Sequence, residues 1–282
     1  MNGVWRCRDR ELPLGERTLV MGIVNVTPDS FSDGGMFDDA EAAVKHGLQL
    51  LEEGADVLDV GGESTRPGSD PVDEIEERAR VVPVIEGLRR EAPEALLSVD
   101  TRKAAVAREA LAAGADVVND IGSGTDPEMF DVVASARAGM VLMHMRGEPK
   151  TMQADPQYDD VVAEVRGFLA ERLEAAVAAG VGRDRLCADP GIGFGKNLEH
   201  NLALLRSIGS FRELEVPVLV GVSRKRSIGE LSGADDPAGR LEGSVSAAVW
   251  CASQGVEMVR VHDVGATVRA LRVVDAITRE RT

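Results

Sequence analysis

The chain has 282 residues, a hydrophobic content of 44 % and a formal net charge of −16. That charge argues against a nucleic-acid partner, which needs clustered cations, and no apolar run approaches the roughly 20 residues that span a bilayer. The cysteines, Cys7, Cys187 and Cys251, are scattered and odd in number, and the start is charged rather than an apolar leader, so a reduced cytoplasmic setting is expected.

Residues 4–14 alternate short apolar runs around Arg8, Asp9 and Arg10, the pattern of a small hairpin plugging the amino-terminal end of the domain. A strand follows over 19–26, then a helix over about 38–53 with Val44, Leu48 and Leu51 on one face. The next strand, VLDVG, ends near Gly61, and a helix over about 72–91 has Ile75, Ala79 and Val82 in phase, with a kink expected at Pro83. ALLSVD reads as a strand to Asp100, followed by a helix over 102–113 and a strand to Asn119. Asp126-Pro127 marks the next helix start, a cap followed by proline in the first turn. Further strands end at His144 and Asp189, with a long helix over about 158–180 between them. A helix from about 198, a strand PVLVGVS opened by Pro217, and a helix broken near Gly233 to Pro237 come next. The strand EMVRVH and a helix over about 265–280 complete the series.

At Gly54, Gly114, Gly139, Gly180 and Gly255 a helix-like stretch closes on glycine and a short apolar run ends in a polar residue. Such runs read as strands buried on both faces, and alternation with helices builds a parallel sheet. Eight units predict an α/β fold, a closed (β/α)8 TIM barrel, rather than an open doubly wound sheet. One domain over 1–282 is expected, with 1–17 as an amino-terminal extension and 18–282 as the barrel.

In such folds ligands gather at the carboxyl ends of the strands. There the sequence sets Asn25, Glu63-Ser64-Thr65-Arg66, Asp100, Asn119-Asp120, His144, Asp189, Ser223-Arg224-Lys225 and Arg260-Val261-His262. Singly each has a plainer account. Asp100 and Asp189 could be caps, Asn119-Asp120 a turn, Arg66 and Lys225 solvated charge, and His144 a packed core histidine. The glycines of GIGFGK look like a phosphate loop without the Walker A spacing. Together they point further. Arg66, Lys225, Arg260 and His262 suit an anion such as a diphosphate. Asp100, Asn119 and Asp189 offer acceptors to a ring bearing amino and N–H donors. Asn25 is an oxygen ligand that, with a phosphate, could hold Mg2+. There is no Ser-His-Asp arrangement and no dinucleotide GxGxxG after the first strand.

In this order, MGIVNVTPDSFSDGG, DVGGESTRPG, SVDT, VNDI, DPGIGFGK, GVSRK and RVHDV closely resemble the dihydropteroate synthases of folate biosynthesis, over essentially the chain after residue 18. The resemblance implies a TIM barrel, usually a homodimer, inhibited by sulfonamides. Its reaction would join p-aminobenzoate to 6-hydroxymethyl-7,8-dihydropterin diphosphate, releasing diphosphate and 7,8-dihydropteroate. It implies that Asp100, Asn119, Asp189 and Lys225 hold the dihydropterin, with Met143 and Phe194 as apolar walls. Asn25 would contact Mg2+ on the diphosphate, while Arg66, Arg260 and His262 grip that leaving group. Thr65, Arg66 and Pro67, with Phe194 and Ser223, would border the p-aminobenzoate site. Lys225, Asp100 and Arg66 form the implied catalytic set, and the first loop, 26–37, is expected to order with substrate. One position departs: many relatives have serine after the lysine of SRK, and here it is Arg226. Two rivals remain, a pterin-binding methyltransferase domain and a catalytically silent paralogue.

Overall fold

A computed structural model describes residues 3–26, 35–64 and 68–279, with backbone alone at 35–38. The chain opens with the expected hairpin, β1 (Gly3–Cys7) and β2 (Arg10–Leu14), paired antiparallel. Eight parallel strands follow: β3 (Leu19–Asn25), β4 (Val57–Gly61), β5 (Leu96–Asp100), β6 (Val117–Asp120), β7 (Gly139–Met143), β8 (Leu186–Asp189), β9 (Leu219–Gly221) and β10 (Met258–Val261). Their order around the sheet is β8-β7-β6-β5-β4-β3-β10-β9. The last seam, β8 to β9, is closed by one parallel bridge, Ala188 to Val218, with the Ala188 amide donating to Pro217 O at 2.9 Å. Proline costs nothing there, because its carbonyl is the group used.

Helices cover the outside: α1 (Gly35–Glu53), α2 (Glu74–Glu91), α3 (Ala104–Ala113), α4 (Met129–Ala136), α5 (Val161–Ala178), α6 (Leu198–Arg206), α7 (Arg226–Ser232), α8 (Leu241–Ser253) and α9 (Val264–Thr278). The unit after β9 is doubled, α7 and α8 being separated by a short 3-10 turn at Pro237–Arg240, where the sequence signalled a break. Alternate side chains of each strand point outward into one large apolar layer under the helices, among them Leu58, Val60, Leu97, Val99 and Val118.

The inward-facing set changes character along the barrel axis. At the amino-terminal end it is apolar: Val57, Leu96, Val117, Val141, Cys187, Leu219 and Met258 pack against Trp5, Cys7, Leu12 and Leu14 of the hairpin. Trp5 is fully buried, and its indole N–H donates to Arg185 O at 2.9 Å. Two residues further along each strand the interior turns polar, with Asp59, Ser98, Asn119 and Arg260. The plug shuts one end and leaves the polar end as the site.

Two local expectations are corrected. Gly139 does not end α4. Arg137 takes the left-handed conformation there, with φ 53°, and Gly139 begins β7 because an added Cβ would lie 2.6 Å from Cys7 Sγ. On α2 the buried face is Glu77, Val81, Val84, Ile85 and Leu88, while Ile75 is 71 % exposed and Ala79 is exposed. A buried glutamate held by Lys103 interrupts the apolar stripe and hides its phase.

Candidate active site

The buried polar centre is built from neighbouring strands in register. Asp100 at the end of β5 stands beside Gly61 of β4 and Asn119 of β6. The Arg260 side chain crosses from β10: its Nε donates to Asp59 Oδ2 at 2.6 Å and its Nη2 to Asp100 Oδ2 at 2.7 Å. Asn119 Nδ2 donates to the same Asp59 oxygen at 2.9 Å. That bond turns the Asn119 carboxamide, so its carbonyl oxygen is the end left to accept from a ligand. Asp59 was not singled out from the sequence, yet an aspartate in the middle of VLDVG, a strand buried throughout, is the signal that finds it.

Asp189 ends β8, where its Oδ1 accepts the Gly191 amide at 2.7 Å; burial pushes its carboxyl up to about 6. Burial also raises Asp100, against the pull of the Arg260 guanidinium. The same effect with opposite sign lowers Lys225 to about 8, with the Asp189 carboxylate resisting. Lys225 Nζ lies 4.1 Å from the centre of the Phe194 ring, a cation–π contact. Phe194 packs with Met143, Ile121 and Met152 into an apolar wall. Asp100, Asn119, Asp189, Lys225, Arg260, Met143 and Phe194 are thereby brought into one cluster.

His262 and Ser223 meet across β10 and β9. The Ser223 Oγ accepts the His262 amide at 3.2 Å and lies 3.0 Å from His262 Nδ1. When that hydroxyl donates to Nδ1, the ring proton resides on Nε2. Burial, with Arg260 and Arg224 nearby, lowers His262 to about 3. It therefore offers an anion a neutral N–H rather than a charge. Between Ser223 and Lys225, Arg224 takes a left-handed φ of 55° and grips Asp263 with Nε at 3.0 Å and Nη2 at 2.6 Å. That pair ties the β9–α7 loop to the start of α9, a positioning role the sequence did not disclose. Arg226 is exposed at the first turn of α7.

Other strand-end residues prove structural. Glu63 is tied to Lys103, which also binds Glu77, with Arg102 Nη2 at 3.6 Å. Asp120 accepts the Gly122 and Gly124 amides at 2.7 and 2.6 Å, fixing its turn. His144 is a packed core histidine, edge-on to Phe168 at 4.9 Å and lowered by burial to about 3. The GIGFGK loop does not offer a phosphate the run of amides its glycines suggest, because three of them are engaged: Gly191 with Asp189, Gly193 with Asn201 Oδ1 at 2.7 Å, Phe194 with Gly191 O at 3.1 Å. Its glycines serve close packing. A Cβ on Gly191 would lie 1.9 Å from His144 O, and one on Gly195 2.2 Å from Arg146 O.

Asn25 ends β3 beside Gly61, half-buried, and its carboxamide has no hydrogen-bond partner among the described residues. No cluster of three or more His, Cys, Asp or Glu able to hold a metal occurs among the described residues. One neutral oxygen at the rim fits Mg2+ that takes its other ligands from substrate phosphate and water. Thr65, Arg66 and Pro67 lie outside the described residues, as does most of the loop at 26–37.

A closed barrel with a buried mixed-charge cluster at the carboxyl ends of its strands has the anatomy of a small-molecule enzyme. The pterin-binding enzyme family model matches residues 21–262. Dihydropteroate synthase of Escherichia coli strain K12 is 48 % identical over 257 residues, covering 91 % of this chain and 90 % of that protein. Among solved structures, Xanthomonas albilineans dihydropteroate synthase with 4-aminobenzoic acid is 52 % identical, with a TM-score of 0.93 and 100 % of both chains covered. The same organism's enzyme in complex with 7,8-dihydropteroate is 50 % identical, with a TM-score of 0.89, covering 99 % of this chain and 100 % of that one. By these matches the chain belongs to the pterin-binding enzyme family and, within it, to the dihydropteroate synthases, transferases of folate biosynthesis.

Proposed function

We propose that the cluster at the rim binds 6-hydroxymethyl-7,8-dihydropterin diphosphate, takes p-aminobenzoate beside it, and joins the two as 7,8-dihydropteroate. The observation that carries this reading is the gathering of Asp100, Asn119, Asp189 and Lys225 at one rim beside Met143 and Phe194, with Asn119 and Asp189 buried. That is a set of acceptors and one cation, as a donor-rich bicyclic ring with a carbonyl requires. Asp189 Oδ2 and the Asn119 carbonyl oxygen are the acceptors left free for its amino and N–H groups. Lys225 donates to ring acceptors, and the Phe194 ring holds its ammonium in place.

The amine of p-aminobenzoate is neutral and nucleophilic near pH 7, so a strong general base is not required. Its nitrogen forms a bond to the pterin methylene, the methylene–oxygen bond breaks with its electron pair leaving on diphosphate, and the amine releases one proton. Asp100 and Asp189 favour the positive charge that grows on the pterin, and Arg260 and His262 would meet the departing anion, with Arg66 in the same role. Asn25 would hold Mg2+, which when bound stabilises charge on the leaving group. Thr65, Arg66 and Pro67, with Phe194 and Ser223, would border the p-aminobenzoate position, where sulfonamides would compete. The enzyme works as a cytoplasmic homodimer in this reading; among the described residues no helix is long and apolar enough to cross a membrane.

Diphosphate release from the two substrates, measured with and without Mg2+, tests the reading. Release should require both p-aminobenzoate and the dihydropterin diphosphate. Release that ignores p-aminobenzoate, or none in a buffer in which a relative is active, would overturn it.

A further inference from the structure

Lys196 ends the GIGFGK loop, and its side chain is fully buried. Its Nζ lies 2.9 Å from Gly191 O, 2.9 Å from Phe194 O, 2.9 Å from His144 Nδ1 and 3.3 Å from His144 O. Every one of these is an acceptor once the neutral His144 carries its proton on Nε2, so the arrangement suits an ammonium with three protons to donate. No carboxylate among the described residues touches it. A buried cation without a contacting counter-ion is costly, and burial indeed pushes Lys196 well below the ordinary lysine value. The same Nζ spans both ends of the loop, Gly191 and Phe194, and pins them to the residue that follows β7.

The surrounding bonds leave the loop little freedom. Gln153 Nε2 donates to Gly193 O at 2.6 Å, Tyr158 Oη to Gly195 O at 2.9 Å, and Asn201 takes the Gly193 amide. What the loop presents to the site are two groups: the Gly191 amide on Asp189 and the Phe194 ring under Lys225. The two residues that Lys196 clamps by their carbonyls are the same two that touch Asp189 and Lys225.

We propose that Lys196 is a positioning residue for the dihydropterin site, the contacts of its Nζ fixing the Gly191–Phe194 turn so that Asp189 and Lys225 are held at the spacing the ring requires. The inference deepens the proposed function and rests on it. It assigns Lys196 no contact with substrate and no part in bond making.

The test is Lys196→Met, which keeps most of the unbranched side chain and removes the amino group, alongside His144→Ala, which takes away one of its acceptors. Each is compared with the wild type by steady-state kinetics in both substrates and by calorimetric titration with the dihydropterin diphosphate, normalised to folded protein. The expected result is a tenfold or larger rise in KM and Kd for the dihydropterin diphosphate in Lys196→Met, with a smaller rise in His144→Ala. KM for p-aminobenzoate, whose site Phe194 also borders, should rise by less than that for the dihydropterin diphosphate. Equal weakening of both substrates, or a lower melting temperature with both KM values unchanged, would reduce Lys196 to a stabilising residue and overturn the proposal. If Lys196→Met does not fold, the same comparison on His144→Ala decides. A wild type that fails to bind the dihydropterin diphosphate removes the proposed function itself, an outcome distinct from a wild type that binds and a variant that binds as well.

Discussion

Asp189 and Lys225 are moved from their ordinary pKa values by one cause acting on opposite charges. Asp189 rises from 3.8 to about 6, so the folded protein holds that proton more tightly than the unfolded chain. The stability it contributes is present below about pH 4 and is lost as pH rises through 6. In the proposed function pterin binding should have the opposite dependence, with the carboxylate as the ring's acceptor. Affinity should rise through pH 6 and then decline above pH 8 as Lys225 loses its proton. Below pH 6 the loss should approach about tenfold per unit. Titrations from pH 5 to 9 check this, and Asp189→Asn should remove the part of the acid limb near pH 6, leaving that of Asp100, while weakening dihydropterin binding more than p-aminobenzoate binding. Lys225→Ala should cost about 2–4 kcal/mol of transition-state stabilisation, read as roughly 30- to 900-fold in kcat/KM. Near-normal turnover would move Lys225 out of the site. Most of these residues were legible because each is a polar group ending an apolar run. Asp59 and Lys196 were not: one is hidden inside a strand, the other reads as the tail of a glycine loop, and only the fold shows what they hold.

At the scale of elements, the hairpin closes the barrel floor through Trp5, and its function is structural. Trp5→Ala should lower stability by about 3–5 kcal/mol, the cost of emptying a buried aromatic site, as read by denaturant unfolding, while KM for both substrates stays unchanged in the folded fraction. A selective rise in either KM would mean that the plug communicates with the rim. Strand positions were readable because burial on both faces writes a short continuous apolar run, and the glycines at 54, 114, 180 and 255 mark helix ends with left-handed φ. The face of α2 was not readable, because Glu77 is buried by an ion pair with Lys103, the residue just before α3, which lies far off in sequence. The role of GIGFGK was misleading for a related reason. Its glycines answer to carbonyls of the β7–α5 loop, which no local pattern reveals.

For the whole molecule, eight strand ends must share one mouth for any of the site chemistry to operate. The register that sets Gly61, Asp100 and Asn119 side by side, and the Arg260 side chain that crosses to Asp59 and Asp100, make the rim a single unit. A net charge of −16 opposes anionic substrates at long range, but screening at physiological salt confines that field to about 8–10 Å, within which Lys225 and Arg260 prevail. The closed barrel was legible in the count of strand–helix units; its closure across β8 and β9 by a single bridge was not, since Val218 carries no mark of it in the sequence. A crystal structure of this chain with 7,8-dihydropteroate tests the central claim most directly. The pterin ring should lie between Asp189, Asn119 and Lys225 against Met143 and Phe194, with the aminobenzoate end toward Ser223. Product bound elsewhere on the barrel, with those side chains still in contact only with one another, would contradict it.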